Sequence, residues 1–160
     1  MTLQEQVVSL ELAKKLKELG VKQESLFYWI NRQREHEGLG EWYYTECEYK
    51  LVDIEYIRRY LREEYIASDM IEKQKGTRIY SAFTVAELWN ILPHCIRQDY
   101  YLEFVKKQPY NLVTYRKYQS NYIIGDIQGP KDNPAEALGR MLIYLIENKL
   151  IDVTSLRKEE

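Results

Sequence analysis

The sequence predicts an α+β fold in which an antiparallel sheet, made of an N-terminal hairpin and a C-terminal three-stranded meander, packs against amphipathic helices. Three observations predict it. Apolar residues recur at helical spacing at Val8, Leu12, Leu16 and Leu19, and again at Ala135, Leu138, Met141, Leu142, Leu145 and Ile146. Aromatic and β-branched residues crowd into short runs bounded by turn residues, as at 26–30 and 100–105. The chain has 160 residues, 45% hydrophobic and 30% charged, which suits a single domain spanning 1–160 that buries roughly 70% of the surface of its unfolded chain.

Residues 3–19 are expected to form the first helix, stopped by Gly20, because glycine reaches the left-handed backbone that ends helices. Leu26-Phe27-Tyr28-Trp29-Ile30 and Trp42-Tyr43-Tyr44-Thr45, followed by Tyr49, read as the two strands of a hairpin. Their connection, 31–41, is polar and carries Gly38 and Gly40, so an exposed loop is expected. Residues 53–75 form a second helical stretch with Ile57, Tyr60, Leu61 and Tyr65 on one side, closed by Gly76.

After a short extended piece at 78–82, Thr84-Val85-Ala86-Glu87 is a capping box: the hydroxyl accepts the third helical N–H while the carboxylate reaches back. Its helix runs to Leu92 and Pro93 stops it. Strands at 100–105, 112–118 and 122–127 are separated by Gln-Pro-Tyr-Asn and Gln-Ser-Asn, which are turn sequences, and form the meander. Asn133 caps the last helix, with Pro134 in its first turn and Glu136 at the capping-box position. Residues 154–160 are expected to fray.

The 23 Lys and Arg against 25 Asp and Glu give a formal charge of −2 with the signs interspersed, so nucleic acid is not an expected partner. Cys47 and Cys95 are far apart and suggest neither a zinc framework nor a disulfide scaffold; a reducing cytoplasm is the expected compartment. No apolar run approaches the ~20 residues that span a bilayer. The opening Met-Thr-Leu-Gln-Glu-Gln lacks the basic and apolar regions of a signal peptide. Neither a membrane anchor nor export is expected.

Catalytic chemistry has little to build on. His36 sits between Glu35 and Glu37, whose side chains diverge from it, and the spacing of zinc ligands is absent. His94 and Cys95 are adjacent, which does not provide the geometry of a nucleophilic dyad. Glu46 and Glu48 share a strand face, where a wet surface is the simpler reading. No catalytic residue, metal site or cofactor is expected. The passage from Leu12 through Gly20 to Leu26 fails the register of a DNA-reading helix-turn-helix, since the large Leu16 stands four residues before the glycine.

Tyrosine is the unusual residue, with 15 copies. Its apolar ring and polar tip suit half-wet surfaces such as ligand clefts and interfaces. Arginines accompany it in Arg58-Arg59-Tyr60-Leu61-Arg62, in Arg78 with Tyr80, and in Tyr115 with Arg116. Guanidinium groups hold phosphate while rings stack on a base; the simpler fate of the helical arginines is pairing with Glu55, Glu63 and Glu64. The candidate ligand-binding set is Trp42, Tyr44, Arg58, Arg59, Arg62, Arg78, Tyr80, Tyr115 and Arg116.

Three stretches carry a resemblance: Leu12-Ala13-Lys14-Lys15-Leu16 running to Phe27-Tyr28-Trp29, Phe83-Thr84-Val85-Ala86-Glu87-Leu88 with Leu92-Pro93, and Met141-Leu142-Ile143-Tyr144-Leu145-Ile146-Glu147-Asn148. Together they resemble small accessory proteins encoded by tailed phages and prophages of gut bacteria. The likeness covers half of the chain, at cap and core positions, and leaves 33–75 without a counterpart. It brings a setting, the host cytoplasm, and no catalytic residues. That setting, combined with the poor catalytic inventory and the tyrosine-rich, arginine-punctuated surface, leads to the expectation of a non-enzymatic binding protein, homo-oligomeric, that counters host defence by sequestering a nucleotide-derived signal in an aromatic and arginine-lined pocket. Two alternatives stand beside it: a module that docks on a host defence enzyme through its Tyr-rich sheet or the 33–75 insert, and a metal-dependent nucleic-acid hydrolase.

Overall fold

The computed structural model describes residues 2–32, 49–60 and 77–156. Within them the α+β prediction holds, with two antiparallel sheets and four α-helices.

The first predicted helix is broken in two. A 3-10 turn covers Leu3–Gln6, residues 7–9 are non-helical, and helix α1 spans Leu10–Glu18. Local hydrogen bonding overrides the apolar period here. The Ser9 hydroxyl accepts the Leu12 N–H at 3.4 Å and so opens a new helix. Val7 bridges Thr84, and the Val8 N–H donates to the Phe83 carbonyl at 3.0 Å, which places both valines wholly inside the core. The C-terminus behaves as predicted. Gly20 has φ +84°, and the Val21 N–H reaches back to the Leu16 carbonyl at 3.0 Å, closing a Schellman motif.

Strand β1 (Phe27–Arg32) lies between β2 (Lys50–Asp53) and β3 (Thr77–Ser81). Trp29 stands opposite Leu51 on one side and Tyr80 on the other. The strand expected at 42–45 lies outside the described residues, as does 33–41 of the expected loop; residues 31 and 32 belong to β1. Helix α2 (Ile54–Tyr60) follows β2, and the continuation expected to residue 75 again lies outside the described residues. Strand alternation gives this sheet two apolar faces. Phe27, Trp29, Tyr49, Leu51 and Tyr80 join the main core, whereas Tyr28, Ile30 and Ile79 form a second cluster with Ile57 of α2.

Helix α3 (Val85–Ile91) opens on the predicted capping box: the Thr84 Oγ1 accepts the Glu87 N–H at 3.2 Å, and the Glu87 carboxylate accepts the Thr84 N–H at 2.7 Å. A two-residue strand, β4 (Cys95–Ile96), begins the second sheet, too short to show alternation in sequence. The meander follows in the order predicted, with β5 (Tyr100–Lys106), β6 (Tyr110–Lys117) and β7 (Ile123–Pro130) side by side.

Helix α4 (Pro134–Glu147) lies on β7 and β6 and also meets α1 and α3. Its Leu138, Met141, Leu142 and Leu145 are wholly buried, each contributing about 1.5–3 kcal/mol of hydrophobic stabilisation. Close packing is set by Gly129, where a Cβ would stand 2.7 Å from the Ala137 backbone nitrogen. Asn133 caps α4 as expected, accepting the Glu136 N–H at 3.3 Å. The expected return bond from Glu136 is corrected. The Asn133 N–H is held by the Pro130 carbonyl, and the Glu136 carboxylate instead accepts the Ser9 N–H, tying α4 to the start of α1.

The frayed tail is also corrected in part: Val153–Leu156 is a 3-10 helix whose Leu156 packs on the main core, and 157–160 lie outside the described residues. Among the described residues, no helix is long and apolar enough to cross a membrane.

Candidate functional site

The main core decides the fate of the first candidate residue. Tyr115 is wholly buried and its hydroxyl donates to the Pro93 carbonyl at 2.6 Å. Burial, with Cys95 nearby as a lesser cause, raises its pKa above the ordinary tyrosine value. A ring enclosed in this way has no face for a base, so the ligand-binding role expected of Tyr115 is corrected to a core role. The alternation that takes Val113 and Tyr115 inward sends Leu112, Thr114 and Arg116 to the opposite face of the sheet.

That outer face carries exposed aromatic side chains at one end. Tyr101, Glu103 and Val105 belong to it from β5, and Ile123, paired with Arg116, from β7. Tyr118 and Tyr122 flank the β6–β7 turn. They are 71% and 73% exposed, beside Tyr101 at 50% and Ile123 at 45%. The Tyr101 and Tyr118 rings meet edge to face with centroids 6.4 Å apart.

Two ion pairs lie at this end of the sheet. The Arg116 Nε donates to the Glu103 carboxylate at 2.7 Å, and the Lys117 ammonium lies 3.2 Å from the Asp99 carboxylate and 6.0 Å from the centre of the Tyr100 ring. Thr114 is 1% exposed and its hydroxyl has no hydrogen-bond partner among the described residues. The turns at this end are tight: Arg97, Gln98 and Gln119 have φ of 49°, 66° and 52°, a region that costs an ordinary residue roughly 1–2 kcal/mol.

A second constellation lies where α1 crosses the first sheet. Lys14 and Lys17, three residues apart on α1, share a helix face. The Lys14 ammonium is 4.8 Å from the Tyr49 ring centre and 5.9 Å from that of Tyr80. Lys17 is 5.4 Å from the Tyr80 ring and donates to the Ile79 carbonyl at 3.5 Å. The two rings stand 6.0 Å apart, tilted by 46°.

The structure therefore divides the predicted set. Tyr80 sits in the lysine–tyrosine constellation and Arg116 on the outer face of the other sheet. Backbone pairing puts Arg78 opposite Asn31 on β3, and the backbones of Arg58 and Arg59 lie on α2, which covers the sheet face opposite to that of Tyr80. Trp42, Tyr44 and Arg62 lie outside the described residues, as do His36, Glu46, Cys47 and Glu48. His94 is exposed beside the half-buried Cys95, whose thiol donates to the Ile96 carbonyl at 3.8 Å.

Sequence reasoning missed Lys14, Lys17 and Tyr49, and also Tyr101, Tyr118 and Tyr122. The lysine spacing on α1 was a visible signal; that Tyr49 and Tyr80 lie beneath it depends on the β2-β1-β3 strand order. Among the described residues, no group of three or more His, Cys, Asp or Glu is gathered to hold a metal ion. No family model matches the chain, and neither a curated protein nor a solved structure is similar to it.

Proposed function

We propose that this is a binding protein that acts by docking on another protein through the outer face of its C-terminal sheet. One observation carries the reading: Tyr101, Tyr118 and Ile123 are exposed together at one end of this face beside the Arg116–Glu103 pair, with Tyr122 next to Ile123 in the chain. Tyrosine anchors protein interfaces because it buries much area for few rotatable bonds and keeps a polar tip for the partner. The fitting partner offers apolar side chains for the rings and backbone or side-chain acceptors for the phenols. That it is a host defence enzyme rests on the resemblance to phage accessory proteins.

The nucleotide reading loses Tyr115 to the core and finds Arg116 engaged with Glu103. It keeps Tyr80, where two lysines stand beside the ring.

The test is capture of a partner from host lysate by the wild-type protein and by a Tyr118→Ser/Tyr122→Ser double variant. A stoichiometric partner that the double variant fails to hold supports docking through this face. A partner held equally by both proteins, or a nucleotide released from the purified protein with no protein partner, overturns it.

A further inference from the structure

We infer that Arg140 of α4 is an autoinhibitory contact: it closes the outer edge of β7 and keeps that edge from pairing with the same edge of a second copy of this chain. Strand β7 ends its sheet, and among the described residues no strand covers its outer side. The ladder says which backbone groups face that side. The Lys107 N–H donates to the Tyr110 carbonyl and the Lys117 N–H to the Tyr122 carbonyl, so even residues of β6 bond to β5 and odd ones to β7. Asn111 and Val113 therefore bond to Gly129 and Ile127, which leaves the N–H and carbonyl of Gln128 pointing outward.

Unpaired edge groups of this kind are a template for another strand, and two copies of one edge satisfy each other about a two-fold axis. Arg140 takes the acceptor out of that template. Its Nη1 donates to the Gln128 carbonyl at 3.2 Å, while its Nη2 lies 3.6 Å from the carboxylate of Glu136, one turn back on α4. Glu136 is buried and fixed in turn by the Ser9 N–H, so the guanidinium is aimed from a rigid support. A charge-assisted hydrogen bond is stronger than the neutral one that a pairing strand would put in its place. Pairing must first displace Arg140.

Three features of β7 itself act in the same direction. Gly125, with φ +68°, is the extra residue between the Tyr115–Ile124 and Thr114–Asp126 pairs, and this bulge breaks the spacing that a regular partner strand needs. Asp126 is exposed near the middle of the strand, where a two-fold copy would bring up a second carboxylate. Pro130 has no N–H to offer at the far end. Against them stands Ile123, 45% exposed, which a second copy would help to cover. Of the four blocks, Arg140 alone is supplied by another element, and it can be removed with the strand left intact.

The experiment is sedimentation velocity of the full chain from micromolar to millimolar concentration. The wild type should remain monomeric. Arg140→Ala, and Arg140→Met as a second variant that keeps the stem, should dimerise with an association at least about tenfold tighter. Lys15→Ala is the control: it removes the same charge from the exposed pair with Glu147 and should stay monomeric. Adding Gln128→Pro to Arg140→Ala deletes the outward N–H without breaking a bond to β6, and should restore the monomer. A wild type that dimerises as strongly as Arg140→Ala overturns the inference. So do folded Arg140 variants that stay monomeric, or a dimer that survives Gln128→Pro.

Discussion

The Glu87 carboxylate on α3 accepts the backbone N–H of Leu26 at 2.8 Å, joining a helix start to the entry of β1 across 61 residues of chain. The same carboxylate accepts the Thr84 N–H and hydroxyl at 2.7 and 2.8 Å and stands 3.1 Å from the buried Ser25 hydroxyl. One side chain thus closes its own helix and satisfies the strand before the first sheet.

Glu87→Ala should therefore destabilise the protein by about 2–4 kcal/mol, more than loss of a cap alone, because donors at Leu26 and Thr84 are left without their acceptor. Urea unfolding measures it. A loss of under about 1 kcal/mol would show that water replaces the carboxylate without penalty.

Lys149 follows the C-cap of α4 with φ +54°, while the Leu150 N–H bonds back to the Leu145 carbonyl at 2.9 Å. This is the position that glycine fills at Gly20. Lys149→Gly should raise stability by roughly 0.5–1 kcal/mol, the relief of left-handed strain exceeding the added freedom of the unfolded chain. An unchanged or lower melting temperature would count against that balance.

Tyr115 should make stability fall at alkaline pH. Its folded pKa is raised by burial, so the unfolded chain ionises first. The stabilising difference is fully present below the unfolded value of about 10 and is lost as pH rises beyond it. Tyr115→Phe should be less stable at pH 7 by about 1 kcal/mol, through the lost bond to Pro93. Its melting temperature should then fall less than that of the wild type between pH 9 and about 11. Parallel curves would show that Tyr115 does not govern the alkaline limb.

The exposed tyrosines should be dispensable for folding. Tyr118→Ser/Tyr122→Ser removes rings that are 71% and 73% exposed, and surface changes of this kind shift stability by about 0.5 kcal/mol or less each. Thermal unfolding checks it. A loss above about 2 kcal/mol would assign these rings to structure and remove the reason to regard their exposure as functional.

The elements legible in the sequence are those whose signal is local. Thr84 and Glu87 lie three residues apart and form the cap that their spacing predicts; Asn133 and Gly20 likewise end or begin helices where expected. Residues 3–19 misled because Val7 and Val8 fit a helical period, yet their backbone groups bond to the segment around Phe83 and Thr84. Tyr115 misled for a related reason. Alternation along β6 says that Tyr115 and Arg116 face opposite ways, and only the placement of α4 decides which of them is inside. Lys14, Tyr49 and Tyr80 come from three separate segments, and no window of sequence contains them together.

Strand β1 carries Trp29 into one apolar cluster and Tyr28 and Ile30 into the other, while bonded along both edges. It is the seam through which the two cores share one fate. Neither can loosen without withdrawing a strand that the other holds, so amide hydrogens of β1 should exchange only on global opening, whereas those at the exposed ends of the meander exchange by local fluctuation. Because β1 pairs with β3 across a long stretch of intervening chain, this seam also closes late relative to the hairpins of the meander. A chain still growing from the ribosome would hold one edge of its first aromatic strand unpaired until β3 had emerged, an interval in which that edge is open to misassembly.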